Sequence, residues 1–255
     1  MEERQTNYTV MEGYELPSGG KIYDTKVNPH VELRSMTARD EMKRLSPSTT
    51  PLKTLADIIE GCMIEKPAIH VYDMALADYE YLLHKLRVVT YGPDYKMSLR
   101  CTECGQYFDT TADLDSLELK DFDFDKFESL RTFQLPKSGK TIVLKFLTPR
   151  LLDTIESRVK ESQRKFKGVE IDWETKLKLQ LCIDTIDGEV KSPVDIESII
   201  DNLPALDMQK ILNNMDKLNQ CFGLNNELFL TCPNCKQEVM TFFRFGPEFF
   251  RPSNI

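Results

Sequence analysis

The chain has 255 residues, enough for one large domain or two smaller ones with separate cores. Its 41 acidic and 33 basic residues leave a net charge of −8, which disfavours non-specific nucleic-acid binding because such binding depends on neutralising phosphates. We expect a cytoplasmic protein with reduced thiols, since the chain starts without an apolar signal region and lacks an apolar run of the roughly 18 to 20 residues that span a membrane.

The first elements of the sequence predict a flexible start followed by a β-hairpin. Residues 1–12 indicate a flexible leader. The stretch YELPSGGKIY, residues 14–23, has two strand-like runs around a Pro/Ser/Gly turn. Gly19 and Gly20 can take positive φ there without steric cost, so the pattern is typical of a hairpin.

A strand and then helices are predicted after this hairpin. The phrase VELRSMTARDEMKRL, residues 31–45, predicts a strand that ends at Thr37, which can cap a helix. Asp40 follows three residues later and completes a weak capping box. Cys62 lies on the apolar face of the next helical segment and is more typical of a buried small hydrophobic residue than of a ligand.

The stretch LRCTECGQYFDTT, residues 99–111, places two thiols three residues apart between strand-like runs. A CxxC turn of this kind lets Cys101 and Cys104 point at one metal ion, and Gly105 suits the tight turn. Two cysteines are only half of a tetrahedral zinc site, so the sequence must supply the other half elsewhere.

The second half of the chain follows the same order as the first, which predicts an internal duplication. FQLPKSGKTI, residues 133–142, matches the first hairpin phrase. The next strand ends at Thr148, with Pro149 at the first helical position, and Cys182 then occupies the place of Cys62. We therefore expect a first half at residues 13–118, an acidic and aromatic linker at 119–132, a second half at 133–246 and a C-terminal tail at 247–255.

The duplication also supplies a second CxxC turn. Cys232 and Cys235 stand in the same strand–knuckle–strand setting as the first pair, and Lys236 takes the place of Gly105, where it can offset thiolate charge. Zinc prefers four such ligands at about 2.3 Å in a tetrahedron. We predict one structural Zn²⁺ held by Cys101, Cys104, Cys232 and Cys235. The gap between the pairs is unusually long for a zinc ribbon, but loop-closure entropy rises only with the logarithm of length.

Other interpretations of the cysteines are weaker. A thioredoxin-like redox pair lies at a helix N-terminus, whereas both pairs here follow predicted strands. Two separate metal sites would need His30, His70 or His84, none of which lies in ligand spacing. Catalytic zinc keeps an open coordination position, which four cysteines do not leave. Cys221, the spare thiol near the second knuckle, is expected to be a packing residue.

No catalytic motif is found in the sequence. The Walker, GxSxG, HExxH and kinase patterns are lacking, and LPSGGK is a turn rather than a phosphate loop. We therefore predict neither enzymatic activity nor a small-molecule substrate.

The last 14 residues, FFRFGPEFFRPSNI, contain five phenylalanines. Their rings either pack on the protein's own core or form an exposed aromatic patch of the kind that binds a partner. The sequence leaves both interpretations open.

Three motifs in this order resemble the base plate protein family of T4-like contractile-tailed phages. They are LPSGG-K-Y in Leu16–Tyr23, V-LR-MT-x-x-D-E in Val31–Leu45, and CxxCG in Cys101–Gly105. Small tail-assembly chaperones of other phages carry a similar LPSG-plus-LT phrase, so the resemblance extends to that wider group. It implies a baseplate hub component or a hub-assembly factor that binds other phage tail proteins without catalysis.

The sequence thus predicts an α+β protein of two pseudo-repeat halves, each a β-hairpin with helices, joined by a shared four-cysteine zinc ribbon. Its expected partners are tail and baseplate hub proteins rather than nucleic acid or membrane. We expect it in the host cytoplasm during assembly and in the tail baseplate of the virion. The alternative is a zinc-ribbon regulator that binds nucleic acid, which predicts clustered basic residues near the knuckles. The charged residues near the knuckles instead have mixed signs: Arg100, Lys236, Arg244 and Arg251, with Glu103, Asp109 and Glu238 among them.

Overall fold

The computed structural model describes residues 10–243, 245 and 247–250, which form an α+β fold as predicted. The helices are α1 (Ala38–Leu45), α2 (Pro51–Cys62), α3 (Leu76–Tyr91), α4 (Phe124–Arg131), α5 (Pro149–Lys165), α6 (Trp173–Cys182), α7 (Pro193–Asp201) and α8 (Ala205–Gln220). Short 3-10 helices lie at Val71–Asp73, Leu114–Ser116 and Pro247–Phe250. Among the described residues, no helix combines the length and the apolar character needed to cross a membrane.

The strands are β1 (Met11–Glu15), β2 (His30–Arg34), β3 (Asp94–Arg100), β4 (Tyr107–Asp113), β5 (Leu119–Lys120), β6 (Thr132–Gln134), β7 (Thr141–Leu144), β8 (Ile183–Ile186), β9 (Gly223–Leu224), β10 (Glu227–Thr231) and β11 (Glu238–Phe242). They pair into small antiparallel sheets, in the order β1-β2, β3-β4, β5-β9, β6-β7-β8 and β10-β11. The sheet β6-β7-β8 belongs to the second half of the chain, whereas β5-β9 joins the segment between the halves to the end of α8.

The predicted helix starts are confirmed in both halves. Thr37 precedes α1, and its hydroxyl and the Asp40 side chain bond reciprocally to each other's backbone N–H groups as a capping box. Thr148 precedes α5, where its hydroxyl accepts a hydrogen bond from the Leu151 backbone N–H at 3.1 Å, and Pro149 is the first helical residue. These local signals define where each helix begins.

The two predicted hairpins differ in how they close. In the second half, β6 pairs with β7 across the predicted turn. In the first half, β1 pairs with β2, so residues 21–23 do not form the return strand that the pattern predicts. The chain folds inward there instead, because the Tyr23 hydroxyl donates to the carboxylate of Asp78 at 2.6 Å. The turn is also tight, since a Cβ on Gly20 would lie 2.5 Å from the Val27 carbonyl oxygen.

A buried aspartate at the start of a long helix holds the Leu-Pro turn in each half. Asp78 of α3 accepts hydrogen bonds from the backbone N–H of Ser18 at 3.0 Å and from its hydroxyl at 2.5 Å. Asp207 of α8 accepts from the backbone N–H groups of Lys137 and Ser138, both at 2.8 Å. Each buried carboxylate therefore accepts hydrogen bonds from the backbone N–H groups of a turn about 60 to 70 residues earlier in the chain.

Two main cores follow the two halves, and each also receives side chains from the other part of the chain. The first core is centred on α2, α3 and the strands before α4, and it receives Leu228, Phe243, Phe249 and Phe250 from the end of the chain. The second core is centred on α4 to α8 and the sheet β6-β7-β8, and it receives Ile22, Ala75 and Ala77 from the first half. Cys62 and Cys182 are buried in the first and second core, as predicted for small hydrophobic residues.

The C-terminal phenylalanines are mainly core residues. Phe243, Phe249 and Phe250 are buried in the first core, and Phe245 is half-buried against it. Only Phe242 of the five remains exposed. Residues 1–9 of the predicted leader and 251–255 of the predicted tail lie outside the described residues, while the predicted linker, 119–132, contains β5, α4 and the first residue of β6.

We expect Asp78→Ala to lower the free energy of unfolding by about 2 to 4 kcal/mol, because it leaves the buried donors of Ser18 and Tyr23 without an acceptor. Asp207→Ala is expected to cause a smaller loss, since it removes fewer bonds. Urea denaturation measures both. Asp216→Ala, an exposed aspartate on the same helix α8, is the matched control and should leave the unfolding midpoint unchanged. Equal midpoints for all three variants would contradict this role.

Candidate metal centre

Both CxxC pairs occupy the turns of two-stranded hairpins. Cys101 and Cys104 lie between β3 and β4, whose last pair is Arg100 opposite Tyr107. Cys232 and Cys235 lie between β10 and β11, whose last pair is Thr231 opposite Glu238. Each cysteine pair is thus held at the end of a hydrogen-bonded ladder, in the strand–knuckle–strand setting that the sequence predicts.

The two knuckles have the same backbone hydrogen bonds. The first cysteine of each pair donates from its N–H to the carbonyl of the residue five positions on, at 2.9 Å in both knuckles. Its own carbonyl accepts from the residue after the second cysteine, which is Gly105 at 3.0 Å and Lys236 at 2.9 Å. That residue takes positive φ in both cases, 72° for Gly105 and 62° for Lys236. Lys236 therefore adopts the left-handed backbone conformation that Gly105 takes in the first knuckle, although residues with a Cβ adopt this conformation less readily than glycine.

The four sulfur atoms converge on one point. The Sγ atoms of Cys101 and Cys235 are 3.6 Å apart, those of Cys104 and Cys232 are 3.8 Å apart, and all four lie within 4.8 Å of one another. A disulfide would require about 2.05 Å, so these are free thiols. Four ligands at about 2.3 Å in a tetrahedron lie about 3.8 Å from one another. The four cysteines are close enough to hold one metal ion, although 128 and 134 positions separate the facing residues in the chain.

The knuckles also interact through a side chain that sequence reasoning missed. Asn234, inside the second CxxC, donates from Nδ2 to the Cys104 sulfur of the first knuckle at 3.5 Å. This bond, with the backbone N–H of Gln106, lowers the pKa of the Cys104 thiol to about 6. The backbone N–H of Cys235 similarly lowers the pKa of Cys232. Such donors favour the thiolate of Cys104 and Cys232, which is the form that binds metal. At Cys235, despite the backbone N–H of Gln237, desolvation and the neighbouring sulfurs raise the pKa of the thiol. The sequence signal for this contact is the polar residue at the third position of the motif CPNC.

The cysteines belong to a small core of their own. Cys101 and Cys232 are buried with Phe108 and Val239, each of which stands four residues after the second cysteine of its knuckle. Cys104 and Cys235 are half-buried at the edge of this cluster. A set of four thiols leaves no open coordination position, so the arrangement suits a structural ion rather than a catalytic one.

The remaining candidate ligands lie elsewhere in the structure. His30 is 3.0 Å from Glu15, His70 is 3.2 Å from Asp57, and His84 is buried with its Nε2 atom 3.0 Å from the Leu114 carbonyl oxygen. None of the three histidines belongs to the four-cysteine group. Cys221 is half-buried against the second core, as predicted for a packing residue, and donates to the Leu218 carbonyl oxygen at 3.1 Å.

The charged side chains around the knuckles are mixed in sign. Arg100 donates from Nε to the Gly105 carbonyl oxygen at 3.2 Å and lies over the Tyr107 ring. It therefore stabilises the first knuckle turn. Lys236 is exposed near Glu238, while Arg244 and Arg251 lie outside the described residues.

Comparison with known proteins gives one family match. A family model described as T4 bacteriophage base plate protein matches residues 9–251, nearly the whole chain. No curated protein and no solved structure matches.

Proposed function

The chain belongs to the T4 bacteriophage base plate protein family, and from this membership we propose that it is a non-enzymatic component of the baseplate hub or a factor in hub assembly, acting by binding other tail proteins. The match over residues 9–251 carries this proposal, because it extends over the whole order of elements rather than a single motif. The family supports a structural role and association with the virion tail. During assembly the protein acts in the host cytoplasm.

We infer that Cys101, Cys104, Cys232 and Cys235 bind one structural Zn²⁺. The donor set supports zinc because four soft thiolates in a tetrahedron are a common structural zinc site. The spacing of the sulfurs and the N–H groups that face them support the same assignment. The ion would connect a hairpin near the middle of the chain with one near its C-terminus, so its binding would contribute directly to folding.

We also infer that residues 13–118 and 133–246 are related halves joined through residues 119–132. Three features recur in the same order in both: a Leu-Pro turn held by a buried aspartate, a threonine-capped helix after a strand, and a knuckle hairpin. Side chains of each half also pack in the core of the other, and we infer that the outer surface of the joined halves carries the function.

We expect Cys232→Ser to abolish metal binding and to lower the melting temperature of the whole protein, because three thiolates and a hydroxyl make a weaker zinc site. Metal analysis of the purified protein should find one zinc per chain in the wild type and almost none in the variant. Cys221→Ser is the matched control, since its thiol lies outside the sulfur cluster.

Hydrogen exchange should show α3 and α8 loosening together in Cys232→Ser, since both halves depend on the same ion. A variant that kept one zinc and an unchanged melting temperature would overturn the shared site. Wild-type protein without a transition metal would do the same.

The baseplate role is tested by tagging the protein in phage-infected cells and identifying what co-purifies. We expect other baseplate proteins of the same phage to be enriched, and purified protein to leave DNA mobility unchanged at low salt. Enrichment of no tail protein would contradict the proposal. A salt-sensitive shift of DNA would instead favour the nucleic-acid-binding alternative.

A further inference from the structure

The outer face of the hairpin β10-β11 carries three exposed apolar side chains. Phe229, Met240 and Phe242 are 56%, 52% and 53% exposed. Phe229 lies directly opposite Met240 in the ladder, and Phe242 lies two positions after Met240 on the same face. Side chains in such positions are in contact distance of one another. These three residues form the hairpin patch.

The patch is not needed to fold the hairpin, because the opposite face already packs. Leu228 of β10 is buried in the first core, and Val239 of β11 is buried beside the cysteines. Leu230 is half-buried against the first core. The hairpin thus has one buried and one exposed face, and an antiparallel hairpin of this kind ordinarily exposes polar side chains on its outer face.

The first knuckle hairpin shows that polar residues are tolerated at the same positions. Counted from the cysteines, Ser98 and Asp109 correspond to Phe229 and Met240, and they also lie directly opposite each other. Both are exposed, as is Thr111, which corresponds to Phe242. At these three positions, two hairpins with the same knuckle backbone therefore carry side chains of opposite character, and the knuckle geometry does not account for the apolar set.

Acidic residues border the hairpin patch at both ends. Glu227 lies opposite Phe242, and Glu238 lies opposite Thr231, both exposed on the same outer face. A complementary surface would place apolar side chains against the patch and lysines or arginines against the two glutamates. A second copy docked through its own patch would instead bring glutamates near glutamates, on a chain with net charge −8.

We propose that the hairpin patch is a docking surface for another baseplate protein that presents apolar side chains flanked by basic ones. This inference rests on the proposed function and specifies where the partner binds. The metal-bound knuckle holds the turn of the hairpin on the body of the protein, so that Phe229, Met240 and Phe242 are presented on a rigid face.

The double variant Phe229→Ser/Met240→Asp tests this surface, because it copies the pair found in the first hairpin. Zinc content and melting temperature should stay at wild-type values, which separates lost docking from lost folding. Capture of the baseplate partner from infected cells should fall at least tenfold. Ser98→Ala/Asp109→Ala in the first hairpin is the matched control and should capture the partner as the wild type does.

The acidic border is tested by Glu227→Lys/Glu238→Lys. We expect weaker capture than in the wild type at low salt, with the difference shrinking as salt is raised, because exposed charges are screened. Unchanged capture at low salt would overturn the basic character assigned to the partner.

The occupant is identified by a photo-crosslinking amino acid at Phe242, with the same probe at Thr111 as control. Crosslinks from position 242 alone, to a baseplate protein at an apolar segment with neighbouring lysine or arginine, support the proposal. Crosslinks to a second copy of this chain, or equal yields from both positions, overturn it.

Partner capture distinguishes failure of the docking surface from failure of the proposed function. If the wild type captures baseplate proteins and Phe229→Ser/Met240→Asp captures them equally well, the docking surface is wrong while the proposed function stands. If the wild type captures none, both are overturned.

Discussion

The convergence of four sulfur atoms from two distant hairpins, β3-β4 and β10-β11, is the constraint on which the arrangement of the two parts of the chain depends. Two-stranded hairpins of five and seven residues per strand are marginally stable by themselves. The core between them contains only four buried residues, two of which are cysteines. A metal ion at this point would stabilise the knuckle ends of the two hairpins, because its coordination bonds would supply the free energy that so small an apolar cluster cannot.

The two main cores reinforce the same connection. Each half places side chains in the core of the other: Ile22 enters the second core, and Phe249 enters the first. The two parts of the chain are therefore connected at separate places, by apolar side chains in the two main cores and by the four-cysteine cluster. Loosening one half removes apolar neighbours from the other, so we expect the protein to unfold as one unit rather than as two independent domains.

The knuckle hairpins show how one backbone can serve two purposes. Their turns share the same hydrogen bonds and the same positive φ, and both point buried cysteines inward. Their outer faces can differ because the side chains on these faces do not pack in a core. Ser98 and Asp109 are exposed in the first hairpin, and Phe229 and Met240 are exposed in the second. A surface with no role in folding can be specialised for binding without loss of stability.

The sequence by itself determined the local features of this protein: Thr37 and Thr148 as helix caps, and CxxC pairs set between strands. These depend on hydrogen bonds between residues a few positions apart, which a short motif specifies. Only the tertiary structure decided that β1 pairs with β2 rather than with residues 21–23, and that Asn234 contacts Cys104. The tertiary structure also decided which phenylalanines are buried, such as Phe249, and which are exposed, such as Phe229. Such contacts depend on which distant segments pack together, and no local pattern encodes that choice.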